Sequence, residues 1–406
     1  MDAQIFSVGT EILLGNIIDT NSKYIAEKLM SLGINVYKME TLGDNFNRLV
    51  RAFKEVDGKV DFVISSGGLG PTPDDITKEA MIGATGFKNQ VEVDDQSYKE
   101  LLMYFNDNKD KADSNIKQAM FPKSALVLKN TVGTAPGMIL ESTKGTKFIC
   151  LPGPPNEMEK MFEYELMKYL PKDAYMKSIF VKIALMGESE MAGKILLDRE
   201  KPTISPYITD QGPVLRITAS DKSENEVNRQ LAVGVDIVKN TFKDFVITSE
   251  DKRKEEVLID LLKERKELVS TAESVTGGLI ASSIIDISGA SDVIRESYIV
   301  YSNDTKEKLL NVSRETIKEY TVVSKEVLSQ MLDGLYNRSK ANLSIATTGY
   351  AHTGEVFLGI IYNDKKYIKH LQFNGDRNRV RLRTKNYAMD MAILIMRGVY
   401  EDNISI

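Results

Sequence analysis

An α/β fold is what the sequence predicts, and three observations carry it. Short apolar runs alternate with amphipathic segments from the N-terminus onward. Glycine-rich loops follow directly on several of those runs. The alternation breaks off near Pro171 and resumes in the last third of the chain. Strands alternating with helices build parallel sheets with right-handed crossovers, and such sheets take ligands at the carboxyl ends of their strands.

In order, residues 5–8 (Ile-Phe-Ser-Val) read as a buried strand ending at Gly9. Asn21 or Ser22 is placed to cap a helix with Ile25, Leu29 and Leu32 on one face, stopped by Gly33. Residues 35–39 form the next strand, and Leu49, Phe53 and Val56 mark the next helix. Phe62-Val63-Ile64 is a third strand that runs into a loop with three glycines. Strands are expected on either side of the turn 132–137, and a helix from 156 to 169. Residues 171–249 read as a small α+β connector with strands at 179–185 and 214–218, helices near 192–197 and 224–240, and Ser249 capping the charged helix that follows. From 250 to 406 the pattern alternates again: strands at 268–272, 297–301 and 343–347, two more around Asn363-Asp364, and a basic amphipathic helix at the end. The expected domains are thus 1–170, 171–249 and 250–406.

Composition narrows the functions. The 406 residues are 42% hydrophobic and 27% charged, an ordinary globular balance. The net charge of −5 argues against a dedicated binder of nucleic-acid backbones. One cysteine, Cys150, rules out an internal disulfide framework, and two histidines leave too few ligands for a His/Cys metal cage. Any metal should therefore be a hard cation on oxygen ligands. The N-terminus lacks the pattern of a signal peptide, and no run approaches the ~18 apolar residues of a membrane span. A cytoplasmic protein with no membrane and no nucleic-acid partner is expected.

The chemistry-bearing segments begin with Ser65-Ser66-Gly67-Gly68-Leu69-Gly70-Pro71-Thr72-Pro73-Asp74-Asp75-Ile76-Thr77. Glycines let backbone N–H groups approach an anion, and the loop enters a helix N-terminus near Ile76. Asp74 and Asp75 would repel a phosphate unless a cation such as Mg²⁺ lies between them. A plain turn with one aspartate as helix cap uses the same residues. Glu11, just beyond the first strand, is a candidate metal ligand or general base at the same crevice. Gly133–Gly137 and Leu151–Pro155 are two more rigid loops, with Asn156 and Glu157 at a helix start. In the C-terminal part, Thr271-Ala272-Glu273-Ser274-Val275-Thr276-Gly277-Gly278 sets a serine between a strand and a helix, where backbone donors can hold an oxyanion. Ser274 needs a base; His352 and His370 lie far along the chain, and Tyr301 and Lys306 in Tyr301-Ser302-Asn303-Asp304-Thr305-Lys306 are the other candidates. Helix capping is the plain role for such a serine.

The motifs VGTEILLGNIIDTN, GGLGPTPDDITKEA, VGTAPGM and LPGPPNEM, in that order, resemble the CinA family of competence/damage-inducible proteins over essentially the whole chain. The resemblance implies an N-terminal molybdopterin-binding-like three-layer α/β domain, a small α+β connector and a C-terminal α/β domain like the nicotinamide mononucleotide (NMN) deamidases. It implies metal-dependent hydrolysis of ADP-ribose to AMP and ribose 5-phosphate, with Asp74 and Asp75 at the divalent metal and Glu11 and Asp75 catalytic. Gly67, Gly68, Gly70, Thr72, Asn21 and Gly153 would bind the substrate. AESCTGG of the family appears as Ala272–Gly278 with Val275 in the cysteine position, and YSN-x-x-K as Tyr301–Lys306. By this likeness Ser274 is the nucleophile of a metal-free amidohydrolase, Lys306 and Tyr301 activate it, Thr348 assists the oxyanion, and Arg377 and Arg381, with Lys385 one turn on, meet the NMN phosphate. The family's GIAGPGGGT loop is here the shorter Gly349-Tyr350-Ala351-His352-Thr353-Gly354-Glu355-Val356, which puts bulk where the family has glycine. Small nucleotide substrates and a homodimer are expected. The alternative is a non-enzymatic binder of a nucleotide or molybdopterin-like ligand acting through partners.

Overall fold

In the computed structural model, residues 1–87, 90–171, 174–195 and 201–400 are described. The chain divides into two units, Met1–Lys177 with Ser220–Val227, and Ser178–Ala219 with Asn228–Ile406.

The first unit is built on a six-stranded sheet in the order Asn35–Leu42, Asp2–Val8, Phe62–Ser66, Lys147–Leu151, Gly137–Glu141 and Leu126–Leu128. The first four strands run parallel and the last two antiparallel. Strand alternation sorts the core into two layers. Ile5, Ile64 and Ile149 pack with Ile25, Leu29, Met158 and Phe162 on one face. Phe6, Val63 and Phe148 pack with Leu49, Phe53 and Met81 on the other. Phe53 stands edge-on to Phe6 at 5.3 Å and to Phe148 at 6.2 Å. Register matters most for function: Ser7 pairs with Ser66, and Ser66 with Leu151, so three strands end level. The loops that start at Gly9, Gly67 and Pro152 therefore leave the sheet side by side. Two expectations shift here. Helix Thr20–Ser31 is capped by Asp19, whose carboxylate accepts from Ser22 N–H, not by Asn21 or Ser22. Helix Pro155–Tyr164 ends before 169 and gives way to a 3₁₀ turn, Leu166–Lys168.

Connector strands Thr203–Thr209, Gly212–Asp221, Tyr175–Ile183 and Val246–Thr248 form one sheet in that order, all of it in the second unit except the start of Tyr175–Ile183 and the last two residues of Gly212–Asp221. The first and last of these strands were not anticipated. A helix expected at 192–197 is found at Glu188–Lys194, and its expected end at Leu197 lies outside the described residues. The C-terminal part has a five-stranded sheet in the order Ile294–Ile299, Val269–Glu273, Leu343–Tyr350, Glu355–Tyr362 and Lys365–Gln372. Its first three strands are parallel and its last two form an antiparallel hairpin. The closing helix, Arg377–Arg397, is not merely a basic surface helix: from Ala388 to Met396 it is buried throughout. Ser249 does not cap the charged helix. That helix is Lys254–Arg265, and the Glu256 carboxylate accepts from Arg253 N–H at its start. Two buried ion pairs tie it to the closing helix, Lys254 to Asp390 at 2.6 Å and Lys385 to Glu255 at 2.8 Å. The connector joins them. Gln211 accepts from Lys254 N–H at 3.2 Å, and Leu185 N–H donates to Asp390 at 3.0 Å. Among the described residues, no helix is long and apolar enough to cross a membrane.

Candidate functional sites

The level strand ends of the first unit open a crevice of about 920 Å³. Glu11, Asn21, Gly67, Gly68, Gly70, Asp74, Asp75 and Gly153 all line it, so the loops expected to act together do meet. Backbone geometry explains why glycine occupies the loop. Gly67 sits at φ +103° with Val8 O only 2.1 Å from where a Cβ would be, and Gly68 sits at φ +70° against Thr77 Oγ1, also at 2.1 Å. Neither position has room for a side chain. Gly70 is different: its missing Cβ leaves room for Asp75 Oδ2. Thr72 does not line the crevice; it acts on Asp75, donating its N–H at 3.0 Å and its hydroxyl at 2.5 Å to Oδ2. Neither aspartate caps the following helix, Thr77–Thr85, whose cap position is Ile76 without a side-chain hydrogen bond. Asn21 bridges two loops, its Nδ2 donating to Ser66 Oγ and Gly153 O, each at 2.7 Å.

Sequence reasoning missed two lysines beneath this loop. Lys117 Nζ donates to the carbonyls of Thr72 and Asp75. Lys78 is buried, donates to the carbonyls of Lys117 and Gln118 at 2.9 and 3.0 Å, and is pushed down to about 8 by burial. A long side chain that grips backbone carbonyls leaves no periodic signal in a sequence. Glu157 bonds to Asn130 Nδ2 at 2.7 Å, which in turn holds the turn at Gly133. Cys150 is fully buried, and burial pushes its thiol up to about 12, so it is no nucleophile.

The second constellation lies in the C-terminal part. Ser274 follows strand Val269–Glu273 and is 7% exposed. Lys306, fully buried in helix Asn303–Leu310, donates to Ser274 Oγ at 3.2 Å and to Val300 O at 2.8 Å. With no carboxylate to offset burial, the ammonium is destabilised and its pKa falls to about 8. The arrangement sets a serine hydroxyl beside a buried amine, the geometry that a lysine-activated serine nucleophile would need.

Four other expectations meet a different surrounding in the structure. Tyr301 is 62% exposed, and its hydroxyl accepts from Arg377 at 2.5 Å. Thr348 directs its hydroxyl to Val322 O at 2.9 Å. Lys385 is consumed by Glu255, whereas Arg381 donates to Thr276 O at 3.0 Å, two residues beyond Ser274. Ser274 does not cap helix Leu279–Ile285. The buried Glu273 carboxylate takes the amides of Gly278, Ile280 and Ala281 at 3.0, 3.1 and 2.8 Å. The first amides of that helix are therefore already taken by a carboxylate of the chain itself. Val275 packs with Ala351, Val356 and Val380. The valine in the cysteine position and the shortened hairpin are thus one packed feature.

Comparison with known proteins agrees with this architecture. The probable molybdopterin binding domain matches residues 4–172, the damage-inducible protein CinA KH domain residues 180–248, and the CinA C-terminal domain residues 251–396. A chain from Clostridium beijerinckii bearing the competence-damage inducible name is 40% identical over 96% of this chain and 98% of its own. A CinA-like protein of Kosmotoga olearia is 37% identical with the same coverage. Among solved structures, the CinA protein of Thermoplasma acidophilum, described as of unknown function, is 32% identical, covers 42% of this chain and 98% of its own, with a TM-score of 0.39. The full-length identity settles the matter of kinship: this chain belongs to the CinA family, with a molybdopterin-binding-like domain, a KH-like connector and a CinA C-terminal domain.

Proposed function

We propose that the chain is a hydrolase of pyridine-nucleotide salvage whose N-terminal crevice cleaves the pyrophosphate bond of ADP-ribose, giving AMP and ribose 5-phosphate. The convergence of a side-chain-free glycine loop with Glu11, Asp74 and Asp75 on one crevice carries this reading. The donor set suits a hard divalent cation such as Mg²⁺, since every candidate ligand is a carboxylate oxygen. Among the described residues, no group of three or more His, Cys, Asp or Glu stands ready to hold a metal. Asp74 and Asp75 would hold the ion jointly with the ligand's own phosphate oxygens. Bound there, it neutralises charge on the pyrophosphate. The chain's residues do the rest: Gly67, Gly68 and Gly70 admit phosphate oxygens to the backbone, Thr72 orients Asp75, and Glu11 takes the proton of the attacking water. The test is purified protein with ADP-ribose, with and without Mg²⁺, products separated by chromatography. Metal-dependent AMP release, lost in Asp75→Ala, is expected; unchanged hydrolysis in that variant would refute the assignment.

A specific contact favours a second activity, the 3.2 Å approach of Lys306 to Ser274. We propose that this pair deamidates NMN to the nicotinate form. Neutral Lys306 takes the hydroxyl proton as Ser274 Oγ adds to the amide carbonyl. The proton then passes to the departing nitrogen, ammonia leaves, and water cleaves the resulting ester. Arg377 and Arg381 would meet the phosphate. Ammonia release from NMN that vanishes in Ser274→Ala is the expected result.

A further inference from the structure

The second unit holds a cleft of about 710 Å³ that neither activity uses. Its walls come from the connector and from the C-terminal part, both within this unit. The apolar lining is Leu185, Met186, Pro213, Leu371, Phe373 and Tyr387. The one carboxylate on the lining, Asp390, is already committed to Lys254 at 2.6 Å and to the Leu185 amide at 3.0 Å. His370 is bonded to Glu355 at 3.1 Å. The exposed Arg383 brings a positive charge to the rim, and its Nη1 donates to Asn374 O at 3.1 Å.

A second observation marks the place as more than a packing gap. Leu185 sits at φ +54°, a left-handed conformation that a branched, bulky residue rarely adopts. It is held there by its hydrogen bond to Asp390, and so by the buried ion-pair network behind the cleft. Strained backbone fixed by its surroundings is characteristic of ligand clamps. The size suits a small molecule that buries most of its surface against an apolar wall, with a few polar groups fixing its orientation.

We propose that this cleft is a second ligand site, for a small amphipathic anion with a flat apolar body and one negatively charged end. The body lies against Phe373, Leu371 and Met186, and the charge meets Arg383. This site is independent of ADP-ribose and NMN chemistry, and so is its test. Full-length protein is titrated with 8-anilinonaphthalene-1-sulfonate, a fluorescent anion of this class. Saturable one-to-one emission is expected, weakened at least tenfold by Arg383→Glu and abolished by Met186→Trp, which fills the cleft. Asp75→Ala, in the other unit, should titrate as wild type, and far-UV circular dichroism confirms that each variant is folded. No saturable emission from the wild type, or wild-type titrations from both cleft variants, overturns the proposal.

Discussion

Gly70 is a residue whose missing methyl serves a neighbour's charge. A Cβ there would meet Asp75 Oδ2 at 2.4 Å, yet Gly70 is not among the glycines with positive φ. Alanine suits the backbone but displaces the carboxylate from Thr72. We expect Gly70→Ala to keep its stability within about 0.5 kcal/mol of wild type, as surface changes do. Its kcat/KM on ADP-ribose should fall at least about tenfold, a loss of ~1.4 kcal/mol of transition-state binding. Thermal melts and steady-state rates check the split. Lys306 makes a prediction in pH. Its pKa falls from 10.5 to about 8 on burial, so NMN turnover should rise through about pH 8 and then level. The unfolded chain holds that proton more tightly, so Lys306 penalises the fold fully below pH 8 and ever less as pH climbs toward 10.5. In Lys306→Met the activity should vanish and this rise in stability with pH should vanish with it. The dyad was legible in sequence because serine and lysine both sit in recognisable motifs. The role of Tyr301 was not, since motif membership says nothing of where a ring points: it precedes the helix cap Ser302 and turns out to Arg377.

At the scale of elements, the closing helix Arg377–Arg397 explains what periodicity can and cannot tell. Arg377, Arg381 and Lys385 were read as one face, but at about 100° per residue each four-residue step advances about 40°. By Lys385 the face has turned about 80° from Arg377, enough to pass from the Ser274 turn into the interior. There the lysine meets Glu255, both side chains buried. Glu255 read only as part of a charged stretch entering a helix, because only tertiary packing shows that Lys254 and Glu255 are inside. Glu273 is a similar case: it caps helix Leu279–Ile285 from the end of a strand, at a spacing outside the usual capping pattern. Removing one member of a buried pair strands the other, at a cost of about 3–5 kcal/mol. Glu255 keeps Arg253 at 3.5 Å and the Gln211 amide at 3.3 Å, so Lys385→Met should lose less than that in denaturant titration, about 1–3 kcal/mol. Adding Glu255→Gln should recover part of it, because the carboxylate that has lost its buried cation is then gone. If Lys385→Met proves as stable as wild type, the pair is not buried as described.

At the scale of the whole molecule, each unit has its own cores. The first closes around the two faces of the six-stranded sheet, and the second around the closing helix and the five-stranded sheet. The strand and helix order behind those cores was legible because each segment alternates with a clear period; the four-stranded connector sheet was only half legible, its missing strands being a short three-residue run and a proline-containing one. Units with separate cores need not unfold together. We predict two calorimetric transitions. A ligand that binds only one native unit stabilises it by RT ln(1 + [L]/Kd), about 2.7 kcal/mol at a hundredfold excess over Kd. ADP-ribose with Mg²⁺ should then raise one transition and leave the other in place, and NMN should do the reverse. Asp75→Ala should erase the first shift without touching the second, because the substitution removes a ligand contact in one unit and no core contact in the other. A single transition that both ligands move together would show that the units melt as one cooperative body.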